Sequence, residues 1–435
     1  MAKSGLADYL CLLFSSRQAA EACKAFATSS WVKEHAYAPE EVLVKCYQLK
    51  ERIYAVLVAA GPSFRGAMMP FWLDCGPIMS ARQALANLAY VDTMEEVALS
   101  SPVTESEQEN PVFDQIRERV VSLLERQIVG APRTPVAKDD VYLCQRGMAT
   151  IWAMSQWLPK WRTGTAVLLG YSFHSTSHVL AEYYEKPYKF FELGDEYDEV
   201  EEFVRTETQQ GRPVQALFCE FPSNPLLLTP DLVRLREIAS RYDTLLVVDD
   251  TISSFSNVDV LGEDRADILW SSLTKSFSGY SDCMGGSVVL NPCSKHYQAF
   301  KALYTTEYFN DLYVDDALVL EANSRDYFAR TTVLNRNGYA LASYLQSCAE
   351  SSSSTVSKVW YPPFLPRHKH YAARMRPAND ELTPGYGCLM TFEFDTMEAH
   401  IAFHEEIGKC VTIGPHLAGH ITLVSFAGLF NISKS

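Results

Sequence analysis

Between residues 214 and 290, short apolar runs alternate with polar and amphipathic stretches, and this rhythm constrains the fold most. Val214-Gln215-Ala216-Leu217-Phe218-Cys219-Glu220 reads as a buried strand. Asp231 to Tyr242 then has helical spacing. Leu232, Leu235, Ile238 and Ala239 share one face, behind Thr229-Pro230 as a start signal. Leu245-Leu246-Val247-Val248, Ile268-Leu269-Trp270 and Ser287-Val288-Val289-Leu290 are further strand candidates, and Ala166-Val167-Leu168-Leu169-Gly170 precedes them. Strand, helix, strand at this spacing predicts right-handed parallel crossovers, hence an α/β sheet with helices on both faces. Ligands collect at the carboxyl ends of such strands. Polar residues just past these runs are therefore the first functional candidates.

The 435 residues, 47% of them hydrophobic, allow one large domain with smaller flanking parts. We expect an N-terminal segment over 1–130, a large domain over 131–292 and a small C-terminal domain over 293–435. Ser351-Ser352-Ser353-Ser354-Thr355 reads as a surface loop. Tyr386 to Val424 reads as a small α+β unit, with a strand over Cys388–Phe394 and a helix over Glu398–Ile407. Leu10-Cys11-Leu12-Leu13-Phe14 is too short for a signal peptide, and no apolar run approaches the roughly eighteen residues of a membrane span. The net charge of −15 argues against nucleic acid as a partner. Eleven Cys without CxxC pairs, and ten His without HExxH, give no metal spacing. Reduced cysteines and a cytoplasmic location are the expectation.

Three strand-end features carry chemistry. In Val247-Val248-Asp249-Asp250-Thr251, two carboxylates follow a buried strand, which is costly unless a cation meets them. The alternatives are a turn or cap, or a carboxylate held against a protonated pyridine nitrogen. In Ser271-Ser272-Leu273-Thr274-Lys275-Ser276-Phe277-Ser278-Gly279, a lysine follows hydroxyl residues one and three places earlier. That suits a Schiff-base lysine beside a phosphate; a surface lysine in a polar turn is the alternative. In Arg146-Gly147-Met148-Ala149-Thr150, a glycine at a strand-to-helix junction lets backbone N–H groups approach an anion. A plain structural turn is the alternative there.

Order and spacing are more specific than any one part. Glu220-Phe221-Pro222-Ser223-Asn224-Pro225, Val248-Asp249-Asp250-Thr251, Ser272-Leu273-Thr274-Lys275 and Asp282-Cys283-Met284-Gly285-Gly286 together resemble the Cys/Met-metabolism family of pyridoxal-phosphate (PLP) enzymes. The closest resemblance is to fungal cystathionine γ-synthase-like proteins. It is strong from about Val141 to Pro292 and looser through Asp326-Tyr327-Phe328, Val359-Trp360-Tyr361-Pro362 and Gly385-Tyr386-Gly387.

The resemblance implies a type I PLP-dependent, aspartate-aminotransferase-like fold: a mostly parallel central sheet with a smaller C-terminal α+β domain. It implies that Lys275 holds PLP as a Schiff base and later moves protons, that Asp249 pairs with the pyridine nitrogen and that Asn224 binds the phenolic oxygen. Thr251 would lie beside the ring. Gly147 and Met148 would give amides to the phosphate, and Ser272 and Thr274 hydroxyls. The family's ring-stacking aromatic falls on Phe173 in Gly170-Tyr171-Ser172-Phe173-His174, and Phe lacks the hydroxyl that Tyr brings to acid–base work.

Some positions depart from the family. Its partner-donated Tyr-x-Arg phosphate clamp finds its best counterpart in Phe71-Trp72-Leu73-Asp74-Cys75-Gly76, with Trp72 for Tyr and Asp74 for Arg. An aspartate facing phosphate is repulsive, so Arg146, or else Arg82, becomes the replacement cation. The family's Ser-Leu-Gly segment corresponds to Gly414–Gly419, with His416 at the Ser position. No arginine follows it for the substrate carboxylate, so a shortened small domain is expected.

The implied activity is γ-replacement on an O-acyl-homoserine with a thiol or carbon nucleophile. A C–S lyase on the same scaffold is an alternative, and a catalytically impaired paralogue another. A homodimer or homotetramer is implied, with neither nucleic acid nor membrane as a partner.

Overall fold

The computed structural model describes residues 9–29, 37–50, 52–60, 64–76, 78–101, 110–183, 188–262, 265–413 and 423–424. Two sheets organise it. The first is antiparallel, in the order β1 (Tyr9–Phe14), β3 (Arg52–Ala60), β2 (Val42–Leu49), β4 (Glu95–Val97). The helix α1 (Arg17–Ala27) packs on it through Ala19, Ala20, Cys23 and Ala27, capped by Ser16. The short helices α2 (Phe64–Ala67), α3 (Met69–Asp74) and α4 (Ala81–Leu88) lead from β3 toward β4.

The second sheet has seven strands in the order β5 (Val141–Cys144), β11 (Gly286–Leu290), β10 (Ile268–Ser272), β9 (Leu245–Asp249), β8 (Val214–Glu220), β6 (Thr165–Leu169), β7 (Tyr188–Phe191). The strands from β10 to β7 are parallel, as the crossover argument predicts. The strand β11 runs antiparallel to both β10 and β5. The link from Leu273 to Gly285 holds only one short helical turn, Thr274–Ser278, too little for a parallel crossover. Reversal of β11 still leaves β5 pointing the same way as β10, so its carboxyl end joins the others.

Helices cover both faces. The helix α6 (Gly147–Trp161) buries Ile151, Met154, Trp157 and Leu158. It joins the cluster that holds Phe14, Leu57 and Phe71, so the first sheet shares a core with the second. On the other face α5 (Pro111–Leu124) buries Phe113, Ile116 and Val120 in the cluster that holds Val248 and Leu269. The short α7 (His174–His178) follows β6, and α8 (Tyr197–Gln209) follows β7.

The helix α9 (Leu232–Arg241) buries the four residues named from its periodicity. Asp231 is its N-cap, accepting from Val233 N (3.0 Å) and Arg234 N (3.3 Å), a cap that contributes about 1 kcal/mol. Each fully buried Leu or Ile adds roughly 1.5–3 kcal/mol.

Two helices beyond residue 292, α10 (Tyr297–Glu307) and α11 (Val314–Asn323), also pack on this sheet through Phe300, Tyr304, Ala317 and Leu320. The long α12 (Tyr327–Ala349) leads to the small C-terminal unit. There β12 (Val356–Trp360) pairs antiparallel with β13 (Thr391–Phe394). The short α13 (His368–Ala372) lies between those strands in sequence, and α14 (Met397–Ile407) follows them. The expected strand over 388–394 thus starts at Thr391. Among the described residues no helix is long and apolar enough to cross a membrane, and no group of His, Cys, Asp and Glu is placed to hold a metal. All eleven cysteines are free.

Candidate active site

The carboxyl ends of β5, β6, β8, β9 and β10 meet along one edge of the large sheet and bring the candidate residues together. Glu220, Asp249 and Trp270 are in register across β8, β9 and β10. Ser272, Gly286 and Cys144 are in register across β10, β11 and β5. The second row explains a close approach. With glycine at position 286, the start of α6 can lie against the end of β10. A Cβ on Gly147 would come 2.8 Å from Ser272 Cβ and 2.9 Å from its Oγ.

The start of α6 has the character of an anion cup. Arg146 is its N-cap, and no side chain caps the first turn. Arg146 Nε donates to Gly76 O at 2.7 Å, while its Nη2 is buried and makes no hydrogen bond. Burial pushes the Arg146 guanidinium down to about 10. A desolvated cation with a spare donor, at a helix start whose macrodipole favours negative charge, suits an anion. These residues fit the phosphate of PLP.

Lys275 lies in the turn after β10. It leaves helical geometry (φ −82°, ψ −121°) before Gly279 closes the turn in the left-handed region (φ 78°). Lys275 is half-buried. Desolvation lowers its pKa, which favours the neutral, nucleophilic amine. The turn is held from above by Arg330, which donates to Ser276 O (2.9 Å), Phe277 O (3.0 Å) and Asn323 O (3.0 Å). Arg330 is in turn paired with Asp326 at 2.7 Å.

Asp249 is buried at the tip of β9, and burial raises its carboxyl; Thr251 N donates to Oδ1 at 2.8 Å. Thr251 Oγ1 accepts from Ser272 N at 2.8 Å, which locks β9 to β10 where the cup begins. Thr274 Oγ1 donates to Gly285 O (3.2 Å) and accepts from Gly285 N (3.1 Å), so its hydroxyl hydrogen is directed at the backbone. Phe173, just after β6, is about one-third exposed at 37% and packs against the His174 ring at 4.5 Å. Asn224, half-buried, follows β8.

Two expectations change. The segment Phe71–Gly76 lies in cis against the start of the chain's own α6. Phe71 meets Trp152 edge-on at 5.8 Å, and a Cβ on Gly76 would come 2.9 Å from Ala149 N. Asp74 lies 3.8 Å from His178. Arg82 pairs with Asp316 and donates to Asp282 O (3.1 Å), so it is committed elsewhere. The segment Gly414–Gly419 with His416, and the chain after Val424, lie outside the described residues.

Sequence reasoning missed Glu220 as more than a motif letter. Its carboxyl is buried and accepts Phe173 N at 2.6 Å. The signal available was its place at the end of a strand that is buried throughout.

Comparison with known proteins agrees with this geometry. The family described as Cys/Met metabolism PLP-dependent enzyme matches residues 100–430. An alanine racemase of Aspergillus violaceofuscus is 34% identical over 404 residues, 87% of this chain and 68% of that one. A cystathionine γ-synthase-like enzyme of Amanita muscaria is 38% identical over 306 residues, 66% of this chain. The match covers 48% of the Amanita protein, so the chain spans about half the length of that relative. The crystal structure of cystathionine γ-synthase from Xanthomonas oryzae, in complex with aminoacrylate and cysteine, superposes with a TM-score of 0.57 at 22% identity, over 75% of this chain and 76% of that one. That likeness shows the fold. With the family model matching across strands, cup and lysine alike, the chain belongs to the Cys/Met-metabolism family of PLP-dependent enzymes.

Proposed function

We propose that the protein carries out γ-replacement on an O-acyl-homoserine, with a thiol or carbon nucleophile as second substrate. The observation that carries this reading is the desolvated Lys275 amine on the turn that follows Ser272, whose side chain lies against the Gly147 cup. PLP, when bound, supplies the electron sink that makes a substrate α-proton removable.

The chain's own residues divide the remaining work. Arg146, the Gly147 and Met148 amides and the Ser272 hydroxyl hold the phosphate, with Thr274 closing the cup from behind. Asp249 presents its carboxylate to the ring nitrogen, Asn224 its amide to the phenolic oxygen, and Thr251 braces both strands beside the ring. Phe173 covers a ring face and excludes water but moves no proton. Lys275 Nζ therefore takes the α-proton and returns one at a neighbouring carbon. Elimination by a C–S lyase would use the same groups. We expect a cytoplasmic homodimer or homotetramer.

A second reading is racemisation, favoured by one observation: the racemase relative overlaps 87% of this chain. An impaired paralogue is opposed by the convergence of Lys275, Asp249 and Asn224 on one sheet edge.

Purified full chain loaded with PLP tests all of these. Cystathionine formed from O-acetyl- or O-succinyl-homoserine and cysteine supports replacement. A keto acid with ammonia identifies a lyase. Deuterium uptake and loss of handedness in alanine in D2O identify a racemase. Absence of a visible cofactor band with PLP in excess overturns every enzyme reading.

A further inference from the structure

The Glu220 carboxyl group sits where two cofactor-facing segments meet. It is 5% exposed, at the tip of β8, and in register with Asp249 on β9. Its Oε1 accepts the backbone N–H of Phe173, 47 residues earlier in the chain, at 2.6 Å. The backbone amide of Asn224 faces the same carboxyl. Phe173 precedes α7 without any side-chain cap, and this contact ties it to β8, beside the bond from Gly170 N to Phe191 O (2.8 Å) that ties the same turn to β7.

We propose that Glu220 is a positioning residue of the cofactor pocket: its carboxyl ties the turn that carries Phe173 to the strand end that leads to Asn224, and so sets two cofactor-contacting residues in one frame. The inference rests on the proposed roles of Phe173 and Asn224. A buried acceptor is needed there because an amide N–H left without a partner in a dry site is costly. Burial, and then the neighbouring Asp249, push its carboxyl well above the usual range.

The acceptor oxygen that the Phe173 N–H reaches is the working part, which separates two substitutions. Glu220→Gln keeps an oxygen for Phe173 N–H, whereas Glu220→Ala removes it. PLP affinity is measured by titration of the apo protein, and the ring environment by visible circular dichroism of the bound cofactor. Apo melting temperature serves as the fold control. Glu220→Ala is expected to weaken PLP binding by about tenfold or more and to reduce the visible dichroism, the loss that follows an orphaned buried N–H. Glu220→Gln is expected to stay within about threefold of wild type, less than a typical neutral hydrogen bond.

Unchanged affinity and dichroism in Glu220→Ala would overturn the inference, even with a lowered melting temperature. So would a Glu220→Gln loss as large as that of Glu220→Ala. Should Glu220→Ala not fold, Glu220→Asp carries the test: it withdraws the acceptor by one methylene and must lose affinity and dichroism. A wild-type protein without a visible band refutes the functional reading instead, and so the two failures are distinguishable.

Discussion

A Cβ placed on Gly147 would lie 2.8 Å from Ser272 Cβ, so the helix start and the end of β10 touch with no room for a side chain. The contact joins two segments 125 residues apart and makes the cup a property of backbone as much as of side chains. Gly147→Ala should force the walls apart. PLP affinity of the apo protein is expected to fall by at least about tenfold, the worth of one lost charge-assisted hydrogen bond. A titration that gives the wild-type affinity would show that the cup is not the phosphate site.

Arg146 carries the second prediction. Its Nη2 is buried without a partner, while Nε is fixed to Gly76 O. Arg146→Ala is expected to weaken PLP binding roughly ten- to a hundredfold, as for a hydrogen bond to a charged group. Arg146→Lys should recover only part of it, because an ammonium cannot hold Gly76 O and an anion with one planar fork. Equilibrium dialysis of the three proteins decides this.

Lys275 has its pKa lowered by desolvation. A group with a lowered pKa reaches its neutral form at lower pH, and only the neutral amine condenses with an aldehyde. The visible band should thus develop at a pH below that at which a solvent-exposed lysine reacts. Lys275→Ala should show no band at any pH. A pH titration of absorbance in both proteins is the check; a band that survives in Lys275→Ala would move the anchor to another amine.

Asp250 offers a pH dependence of stability. Burial first, with the Asp249 charge adding, pushes its carboxyl up to about 8. In the unfolded chain the value is about 3.9. A raised carboxyl gives stability that is whole below the unfolded value and is lost as pH rises through the folded one. The apo protein should therefore lose melting temperature as the pH rises from about 4 to about 8, the window between those two values. Asp250→Asn, with no proton to lose, should show a flatter profile. Parallel slopes would acquit Asp250.

Gly279 takes a positive φ of 78°, and a Cβ there would run into the Arg330 guanidinium. Gly279→Ala should cost about 1–3 kcal/mol of stability from the strained backbone alone. It should also broaden the visible band, because Arg330 anchors the carbonyls of Ser276 and Phe277 next to Lys275. Thermal melts and holo spectra of the variant measure both effects.

The centre of the large sheet was legible because its strands are buried along their length and rich in apolar residues, so that Val214–Glu220 has the same bounds in sequence and structure, whereas the edge strand β7, with Lys189 and Phe190 exposed, was not. Asp231–Tyr242 was legible because four apolar residues share a helical face, and the structure only moves its ends inward. The antiparallel sheet over Tyr9–Val97 was not. Its strands bury residues irregularly, as in Val42–Leu49, where positions 42, 46 and 49 are buried, so no period of two emerges. Strand-end residues such as Asp249 and Lys275 could be named from spacing along the chain. The ties of Glu220 to Phe173 and of Arg146 to Gly76 could not, because each joins loops that only the folded sheet brings together.

The link from Gly76 to Arg146 also bears on the order of assembly. Both residues belong to one polypeptide, and Gly76 leaves the ribosome before Arg146 does. The guanidinium proposed to meet the phosphate is therefore oriented within one chain, once β5 and α6 have folded onto the N-terminal sheet. Because Ser272 and Lys275 lie more than a hundred residues further along, the proposed phosphate site closes only when β10 has joined the sheet beside α6.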